Sequence, residues 1–275
     1  MNIQVYLPAP GLREYVQSIM IFSLKSDSGS AMPLNPFPPT PQHSLFFYVN
    51  DPVQTQVFGS ETLVSSPDCL LVGPQLTRVN IKMGHDHLMV HVGFKTGGLH
   101  KLTGVPMHLL LDQGYDASDV LGSEVSQLME QLRNTPTQDQ MVKQVEAFLW
   151  KKLKESAPPL PFDKALEQLV GATGNMPIEQ VADLGCLSLK QFERKCRERI
   201  GLSPKVFARL IRFSNAYRLR ETRPDLSWTH ISYASGYFDQ MHLIRDFKEF
   251  AGVTPGIIAK DLVQTPYRLQ SNILV

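Results

Sequence analysis

The sequence has 275 residues, of which 43% are hydrophobic and 19% are charged, and its formal net charge is +1. This length suffices for two ordinary domains, and the composition is that of a globular protein, which excludes a disordered or fibrous chain. No apolar run reaches the roughly 18 residues that a membrane span needs, and no basic segment followed by an apolar core opens the sequence. The three cysteines, Cys69, Cys186 and Cys196, have no pairing or metal-type spacing. We therefore expect a cytoplasmic protein.

The first 112 residues contain short apolar segments between turn signals such as Gly73-Pro74. The segments are 19–24, Leu45–Val49, Cys69–Val72 and Leu88–Phe94. In the last of them, apolar residues alternate with His87, Met89 and His91, a period of two that predicts a half-buried strand. This region is predicted to be a small β domain, a barrel or a sandwich.

Two amphipathic helices are predicted next, at 118–133 and 138–155. The stripe of the first is Val125, Leu128, Met129 and Leu132, and that of the second is Met141, Val145, Phe148, Leu149 and Lys152. Each stripe is expected to pack within the chain, and dimerisation through the stripes is the alternative.

A proline-rich segment divides the chain. Three prolines within Pro158-Pro159-Leu160-Pro161 favour an extended spacer. We predict a domain at 1–156, a linker at 157–161 and a second domain at 162–275, in an α+β protein whose second domain is entirely helical.

Charge is distributed unevenly between these domains. Residues 1–162 contain 11 Lys and Arg against 14 Asp and Glu, whereas residues 163–275 contain 16 against 12. Within 186–220 there are ten basic residues and two acidic ones, Glu193 and Glu198. Such a local excess is typical of a polyanion-binding surface, although a solvated helix face has the same composition.

The second domain contains an imperfect repeat. Seven helices are predicted, at 162–171, 177–184, 188–199, 203–221, 227–234, 239–249 and 255–260. From Ser188 onward the two copies are offset by 51 residues, as in Arg194/Arg245 and Gly201/Gly252. Each copy reads as a helix-turn-helix unit, and two units in register favour DNA binding far more than one.

The exposed face of each repeat predicts how DNA is read. If Phe192 is buried with Leu189 and Cys196, the opposite face of helix 188–199 presents a polar set, and helix 239–249 presents a matching one. These side chains are Lys190, Gln191, Glu193, Arg194 and Arg197 in the first copy, and Gln240, Met241, His242, Arg245 and Lys248 in the second. Each arginine can pair with guanine, the glutamines with adenine, and Met241 can cover a thymine methyl.

Helix 203–221 is predicted to join the two units, with an apolar stripe inside and Arg209, Arg212, Arg218 and Arg220 outside. Nineteen helical residues span roughly 28 Å. Successive major-groove segments on one face of the duplex are about 34 Å apart. One chain is therefore expected to contact two adjacent grooves.

The C-terminal 110 residues or so resemble the AraC/XylS family of bacterial transcription regulators. The matching motifs are Gly236-Tyr237-x-Asp239, Arg245-x-Phe247-Lys248, Gly252-x-Thr254-Pro255 and, in the first copy, Gly201-x-Ser203-Pro204. Ser232, Cys196 and Ile258-Ala259-Lys260 depart from the family pattern. The resemblance implies a sequence-specific DNA-binding regulator whose base-reading positions are Lys190, Glu193, Arg194, Gln240, Met241, His242 and Arg245.

The N-terminal half resembles, more loosely, the cupin-like sensory domains that precede this module in many relatives. The similar segments are Pro8-x-Pro10-x-Leu12 and Val92-Gly93-Phe94-Lys95-x-Gly97-Gly98. The resemblance implies signal sensing or dimerisation. The expected partners are double-stranded DNA, a small-molecule effector, a second copy of the chain and RNA polymerase.

Histidines in the first domain leave an alternative. His85, His87 and His91 would share one strand face, and with His43 they could form the metal site of a cupin-type enzyme. No acidic residue follows on that face, so we predict no metal, no cofactor and no catalytic activity. For a small-molecule signal, the candidate binding residues are His43, Tyr48, His87 and His91.

Overall fold

The computed structural model describes residues 1–27, 29, 31–153, 160–265 and 267–270. Most of the predicted linker falls on residues 154–159 and lies outside the described residues. Leu160 is the N-cap of the next helix and Pro161 is its first residue. Among the described residues, no helix is both long and apolar enough to cross a membrane.

The N-terminal half is built on two antiparallel sheets. The strands are β1 (Asn2–Tyr6), β2 (Val16–Lys25), β3 (Leu34–Phe37), β4 (Ser44–Tyr48), β5 (Gln54–Val57), β6 (Val64–Ser65), β7 (Cys69–Val72), β8 (Val79–Lys82), β9 (Asp86–Phe94) and β10 (Gly114–Asp116). The larger sheet has the order β1-β2-β9-β4-β7-β10, and the smaller sheet has the order β3-β8-β5-β6. Val90 of β9 pairs with Ile21 on one side and Phe47 on the other, so β9 is a central strand.

Strand β9 separates two interiors. Successive side chains of a strand point to opposite faces. Val90, Val92 and Phe94 therefore pack into the main apolar core, while His87 and His91 line the space between the sheets. Both histidines are buried, so the prediction of a half-buried strand is wrong: the smaller sheet covers the face that the sequence assigned to solvent.

The smaller sheet has two different neighbours. Val79 and Ile81 of β8 line the space between the sheets. Asn80 points the opposite way, and its Oδ1 accepts a hydrogen bond from Arg78 Nε at 3.1 Å. Arg78 in turn reaches the C-terminal half of the chain. The smaller sheet thus lies between the interior of the N-terminal half and the helical half.

The other regular elements of the described structure are helices. They are α1 (Gly98–Thr103), α2 (Ala117–Leu121), α3 (Glu124–Arg133), α4 (Gln138–Leu153), α5 (Pro161–Gly171), α6 (Ile178–Leu184), α7 (Leu189–Arg199), α8 (Pro204–Thr222), α9 (Trp228–Ala234), α10 (Gln240–Phe250) and α11 (Pro255–Gln264). Two short 3-10 helices lie at Pro10–Glu14 and Met107–Leu110.

The helix predicted at 118–133 is two helices, because Gly122 adopts a φ of 85° between α2 and α3. The apolar stripes of α3 and α4 are buried in the main core with the larger sheet, so they pack within the chain and are not free for a partner. Lys152 does not belong to its predicted stripe. Its ammonium lies 2.6 Å from the Glu124 carboxylate and donates to the Leu121 carbonyl at 2.9 Å.

The helical half has its own core around α8. Phe207, Phe213 and Tyr217 are fully buried, so more of the helix circumference is covered than the predicted stripe. The four arginines predicted outside α8 are only partly exposed, and each is hydrogen-bonded; they are Arg209, Arg212, Arg218 and Arg220. The prediction of a solvent-facing basic side is therefore wrong, because α5, α7, α9 and α10 pack around this helix.

Candidate nucleic-acid interface and buried cavity

The first helix-turn-helix unit consists of α6, a turn and α7. The turn passes through Cys186, whose φ of 54° lies in the left-handed region. The Ser188 hydroxyl accepts a hydrogen bond from the Gln191 backbone N–H at 3.4 Å, and Gln191 Oε1 accepts from the Ser188 backbone N–H at 3.0 Å. This is the predicted capping box, and it fixes the residue at which α7 begins.

Helix α7 is anchored by Phe192 and Cys196, which are fully buried. Leu189 was predicted to join them, and that prediction is wrong because its side chain is 39% exposed. It occupies the first turn of α7, at the edge of the core that buries Phe192. Leu189 is therefore part of the surface that a bound molecule can contact.

The second unit consists of α9, a turn and α10. Asp239 Oδ1 accepts hydrogen bonds from the His242 backbone N–H and from His242 Nδ1, both at 2.9 Å. These bonds from His242, the backbone one first, lower the pKa of the Asp239 carboxyl. Leu243 and Phe247 are fully buried, as predicted, and they aim the rest of α10 outward.

All ten side chains predicted to read DNA are exposed. They are Lys190, Gln191, Glu193, Arg194, Arg197, Gln240, Met241, His242, Arg245 and Lys248. Among the described residues, neither Arg194 nor Arg245 has a hydrogen bond or ion pair, so both guanidinium groups are available. Gln191 and His242 are less available, since capping engages Oε1 of the first and Nδ1 of the second.

A buried carboxylate beside Arg245 was not predicted. Asp246 is only 4% exposed; its Oδ1 lies 2.7 Å from Arg209 Nη2, and its Oδ2 accepts from the Tyr237 hydroxyl at 3.1 Å. Arg209 also pairs with Glu249, and the hydrogen bonds to Glu249 and Asp246 raise the pKa of this guanidinium. The network ties α10 to α8. The sequence signal was an acidic residue, Asp246, directly before the buried Phe247.

A cavity of about 400 Å³ lies between the two sheets of the N-terminal half. Of the four predicted ligand-binding residues, Tyr48, His87 and His91 line it. One residue from the C-terminal end of the chain, Leu269, also contributes to its wall. Cavities that bind small molecules measure about 300–1,000 Å³, so this volume suits one.

His43 does not line the cavity, so this predicted binding residue is wrong. Neighbouring residues of a strand face opposite sides, and Ser44 takes the cavity side. His43 is buried against the backbone of Ile200, at the end of the first helix-turn-helix unit. Burial lowers the pKa of His43 to about 4, and nearby His100 lowers it further, against a backbone hydrogen bond with Ile200 that raises it.

The histidine cluster of the alternative interpretation, a cupin-type metal site, does not assemble. His43 faces away from the cavity, and His85 precedes β9, with its Nδ1 3.0 Å from the Ser26 hydroxyl. Within the described residues, no group of three or more His, Cys, Asp or Glu is arranged to hold a metal ion.

Two family models match the sequence. Residues 181–260, which include both recognition helices α7 and α10, match a model described as a helix-turn-helix domain, and this domain is of the AraC type. The chain therefore carries an AraC-type helix-turn-helix domain at its C-terminal side and is a DNA-binding regulator. Residues 4–116 of the regulator match a second model, described as a domain of unknown function, DUF6597. No curated protein matches the chain.

Solved structures are similar to the regulator over nearly its whole length. ToxT from Vibrio cholerae, in a P21 crystal form, gives a TM-score of 0.50 at 11% identity, covering 97% of this chain and 100% of ToxT. ToxT bound to (E)-4-(8-methylnaphthalen-1-yl)but-3-enoic acid gives 0.49 at 13%, covering 95% and 100%. The AraC-like transcriptional activator CuxR gives 0.22 at 10%, covering 98% and 89%. At such identities, the ToxT likeness shows a shared fold.

Asp163, at the start of α5, joins three parts of the regulator. Its Oδ2 lies 3.3 Å from Lys101 Nζ in α1, and its Oδ1 lies 3.0 Å from Arg199 Nη1 in α7. The same carboxylate accepts a hydrogen bond from the Leu160 backbone N–H at 2.7 Å. One buried carboxylate thus links the N-terminal half, the beginning of the helical half and the first recognition helix.

Each helix-turn-helix unit also contacts the N-terminal half directly. After α7, a Cβ at Gly201 would lie 2.9 Å from the Met107 carbonyl oxygen, so the two backbones are closely packed. After α10, Arg78 Nη1 donates to the Ala251 carbonyl at 3.4 Å, and Arg78 Nη2 lies 3.3 Å from Asp261 Oδ2 in α11. The two helix-turn-helix units therefore contact different parts of the N-terminal half.

Proposed function

We propose that the regulator reads its DNA site with α7 and α10, each directed at one major groove by an arginine. The observation that carries this proposal is that Arg194 and Arg245 occupy equivalent positions in the two copies, are exposed, and have no partner among the described residues. An arginine offers two parallel donors that match O6 and N7 of guanine.

The other exposed side chains of the two helices supply further contacts in this proposal. Gln240 pairs with adenine, Met241 covers a thymine methyl, and Gln191 acts mainly by fixing the start of α7. The remaining ones contact bases or phosphates: Lys190, Glu193, Arg197, His242 and Lys248. Helix α8 separates the readers by 19 residues, or roughly 28 Å, close to the distance between successive grooves.

Binding of the full chain to fragments selected from its source genome tests this assignment. Arg194→Ala and Arg245→Ala are each expected to weaken specific binding by about 1–3 kcal/mol and to relax base preference at a different position. The control is Lys143→Ala, which removes one exposed positive charge from α4 in the other half. If both arginine variants bind the selected site as tightly as the control, the assignment of readers is wrong.

We also propose that the cavity is the effector site and that its occupancy alters the placement of the second unit. The cavity is supported as an effector site by its volume and by Leu269, through which an occupant would touch the C-terminal end of the chain. Val79 and Ile81 form its wall on β8, while Arg78, just before that strand, holds Ala251 and Asp261. A shift of β8 on ligand binding would therefore be felt directly after α10.

The proposal assigns regulation to 1–156, a linker to 157–161 and DNA reading to 162–275. It gives the N-terminal half no catalytic role, because the histidines required for the alternative metal-dependent enzyme lie apart. Homodimer formation, contact with RNA polymerase and a cytoplasmic location stay predictions.

A further inference from the structure

The cavity has a continuous aromatic wall. Ring centroids lie 5.6 Å apart for Phe22 and His87, 5.7 Å for His87 and Tyr48, 6.0 Å for Tyr48 and Phe46, and 4.7 Å for Phe46 and His91. Opposite this wall stand aliphatic side chains of the smaller sheet, including Val79 and Ile81. Three methionines complete the lining, and their flexible thioethers adapt to flat rings; they are Met20, Met83 and Met89.

The cavity offers no positive charge to an occupant. None of the described residues that line it is a lysine or arginine. Burial lowers the pKa of His91 to about 4, and it also lowers the pKa of His87, so both rings are neutral near pH 7. An anionic ligand would therefore lose its hydration without gaining a counter-charge, which is strongly unfavourable.

Among the described residues that line the cavity, the one carboxylate belongs to Asp112, and it is already hydrogen-bonded. Asp112 Oδ1 accepts hydrogen bonds from the backbone N–H groups of Leu76 at 2.6 Å and Thr77 at 2.9 Å. Its Oδ2 accepts from the Thr77 hydroxyl at 3.2 Å. These bonds hold the carboxylate to the chain, so it is a weak anchor for a cationic ligand.

The polar lining residues include glutamines, serines and threonines, and two histidines lie within the aromatic wall itself. The Asp51 carbonyl, 2.6 Å from His87 Nδ1, can only accept, so Nδ1 carries the proton and Nε2 of the neutral ring is an acceptor. That Nε2 has no hydrogen-bond partner among the described residues. His91 Nε2 is bonded to the Ser44 hydroxyl at 2.9 Å, and its buried Nδ1 has no partner. Because His87 Nε2 is an unpaired acceptor on a residue that lines the cavity, a donor on a bound ligand can pair with it.

We propose that the cavity binds an uncharged aromatic molecule that carries a hydroxyl group, with the hydroxyl donating to His87 Nε2. The aromatic wall receives the ring, the absence of cationic side chains from the described lining selects against acids, and the histidine acceptor selects for a donor. This inference rests on the proposed function, because it names the class of effector for the cavity assigned there.

Calorimetry on the full chain at pH 7 tests the proposal with three matched probes: 2-naphthol, 2-methoxynaphthalene and 2-naphthoate. The naphthol is expected to bind at least tenfold more tightly than the methoxy compound, which lacks the donor, and at least tenfold more tightly than the carboxylate. His87→Phe keeps a ring in the wall and removes the acceptor. It is expected to bring the naphthol and methoxy affinities within about threefold of each other, whereas His230→Phe, outside the cavity, leaves their ratio unchanged.

The proposal is overturned if the carboxylate binds as tightly as the naphthol, if the two neutral probes bind equally to the unaltered protein, or if no probe binds. DNA affinity measured on the same samples separates this result from the proposed function. If DNA binding depends on Arg194 and Arg245 while the probes fail, only the ligand class is wrong. If the probes bind in the expected order but leave DNA affinity unchanged, the ligand class holds and the effector role fails.

Discussion

The first helix-turn-helix unit packs against the backbone of the N-terminal half, whereas the second is fixed mainly by contacts within the helical half. Gly201, just after α7, lies against Met107, and Arg199 of α7 shares Asp163 with Lys101. In the second unit, the equivalent of Lys195 is Asp246, which is clamped by Arg209 of the connecting helix. The two copies therefore expose similar helix faces to DNA, but different contacts hold them in place.

This difference indicates how two similar helix-turn-helix units can respond unequally to one signal. The support of the first unit is backbone packing, which transmits displacement of the Met107–Leu110 helix directly. The second unit meets the N-terminal half through side chains: Arg78 reaches the Ala251 carbonyl and Asp261, and the Phe58 ring lies against Gly252. We expect the first unit to keep a fixed position and the second to be the adjustable one.

The largest expected effect is on the ion pair between Asp246 and Arg209, which holds α10 of the second unit against α8. Asp246→Ala removes a buried carboxylate and leaves Arg209 and the Tyr237 hydroxyl without it. Breaking a buried ion pair costs about 3–5 kcal/mol of unfolding free energy, which denaturant titration would measure. The control is Asp225→Ala, which breaks a fully exposed pair with Arg223 and should change nothing measurable. If the two variants lower the unfolding free energy equally, the ion pair between Asp246 and Arg209 does not specifically stabilise the second unit.

A pH effect should appear beside the first unit, where His43 is buried against Ile200. His43 is neutral in the fold, with a pKa of about 4, and its usual value is 6.5. The unfolded chain therefore binds more protons between these values, so stability is complete above pH 6.5 and falls as the pH approaches 4. The part of this loss that His43 contributes is about 3 kcal/mol, and His43→Gln should abolish that part while the contribution of His91 stays. Unfolding free energies of both proteins across this pH range would contradict the account if their difference stayed constant.

Asp163 should matter for the first unit more than its neighbour Glu167 does. Asp163→Asn keeps an acceptor for the Leu160 N–H but removes the charge that pairs with Lys101 and Arg199. Because these pairs are mostly buried, the expected loss of stability is about 2 kcal/mol. Glu167→Gln breaks the more exposed pair with Lys95 and should have a much smaller effect in the same unfolding measurement. A larger loss in the Glu167 variant would reverse this ranking.

The smallest expected effect separates two matched glycines. Gly201 and Gly252 both have positive φ, 83° and 72°, so alanine costs each about 1–2 kcal/mol through the backbone alone. At Gly201 the new Cβ would also meet the Met107 backbone, whereas at Gly252 it would meet the Phe58 side chain. Gly201→Ala should therefore lower the melting temperature more than Gly252→Ala. The reverse order would mean that the first unit does not rest on rigid backbone.

The reading surface could be predicted from sequence because it depends on local helical periodicity. Phe192, Leu243 and Phe247 repeat on one face, and that spacing fixes which residues point outward. The prediction that Leu189 is buried was wrong, because helical periodicity shows the side to which a residue points but not where the core ends. Asp246 was missed because its partner, Arg209, lies 37 residues away along the chain.

The N-terminal half was less predictable, since its smaller sheet depends on long-range pairing. Strands β5 and β8 are four residues long, and β5 has one strongly apolar residue, so neither has an alternating pattern as long as the one that identified β9. The sequence identified His87 and His91 as candidate binding residues on a half-buried strand, and it did not show that the smaller sheet buries them. His43 was placed in the wrong interior because Ile200, which covers it, belongs to the other half of the chain.

A chemical footprint of the full chain on its selected DNA fragment tests the central claim most directly. Two readers on one chain predict two protected major-groove segments about 10 base pairs apart. Arg194→Ala should weaken protection and base preference in one segment, and Arg245→Ala in the other. A single protected segment, or two arginines that govern the same base pairs, would contradict the account.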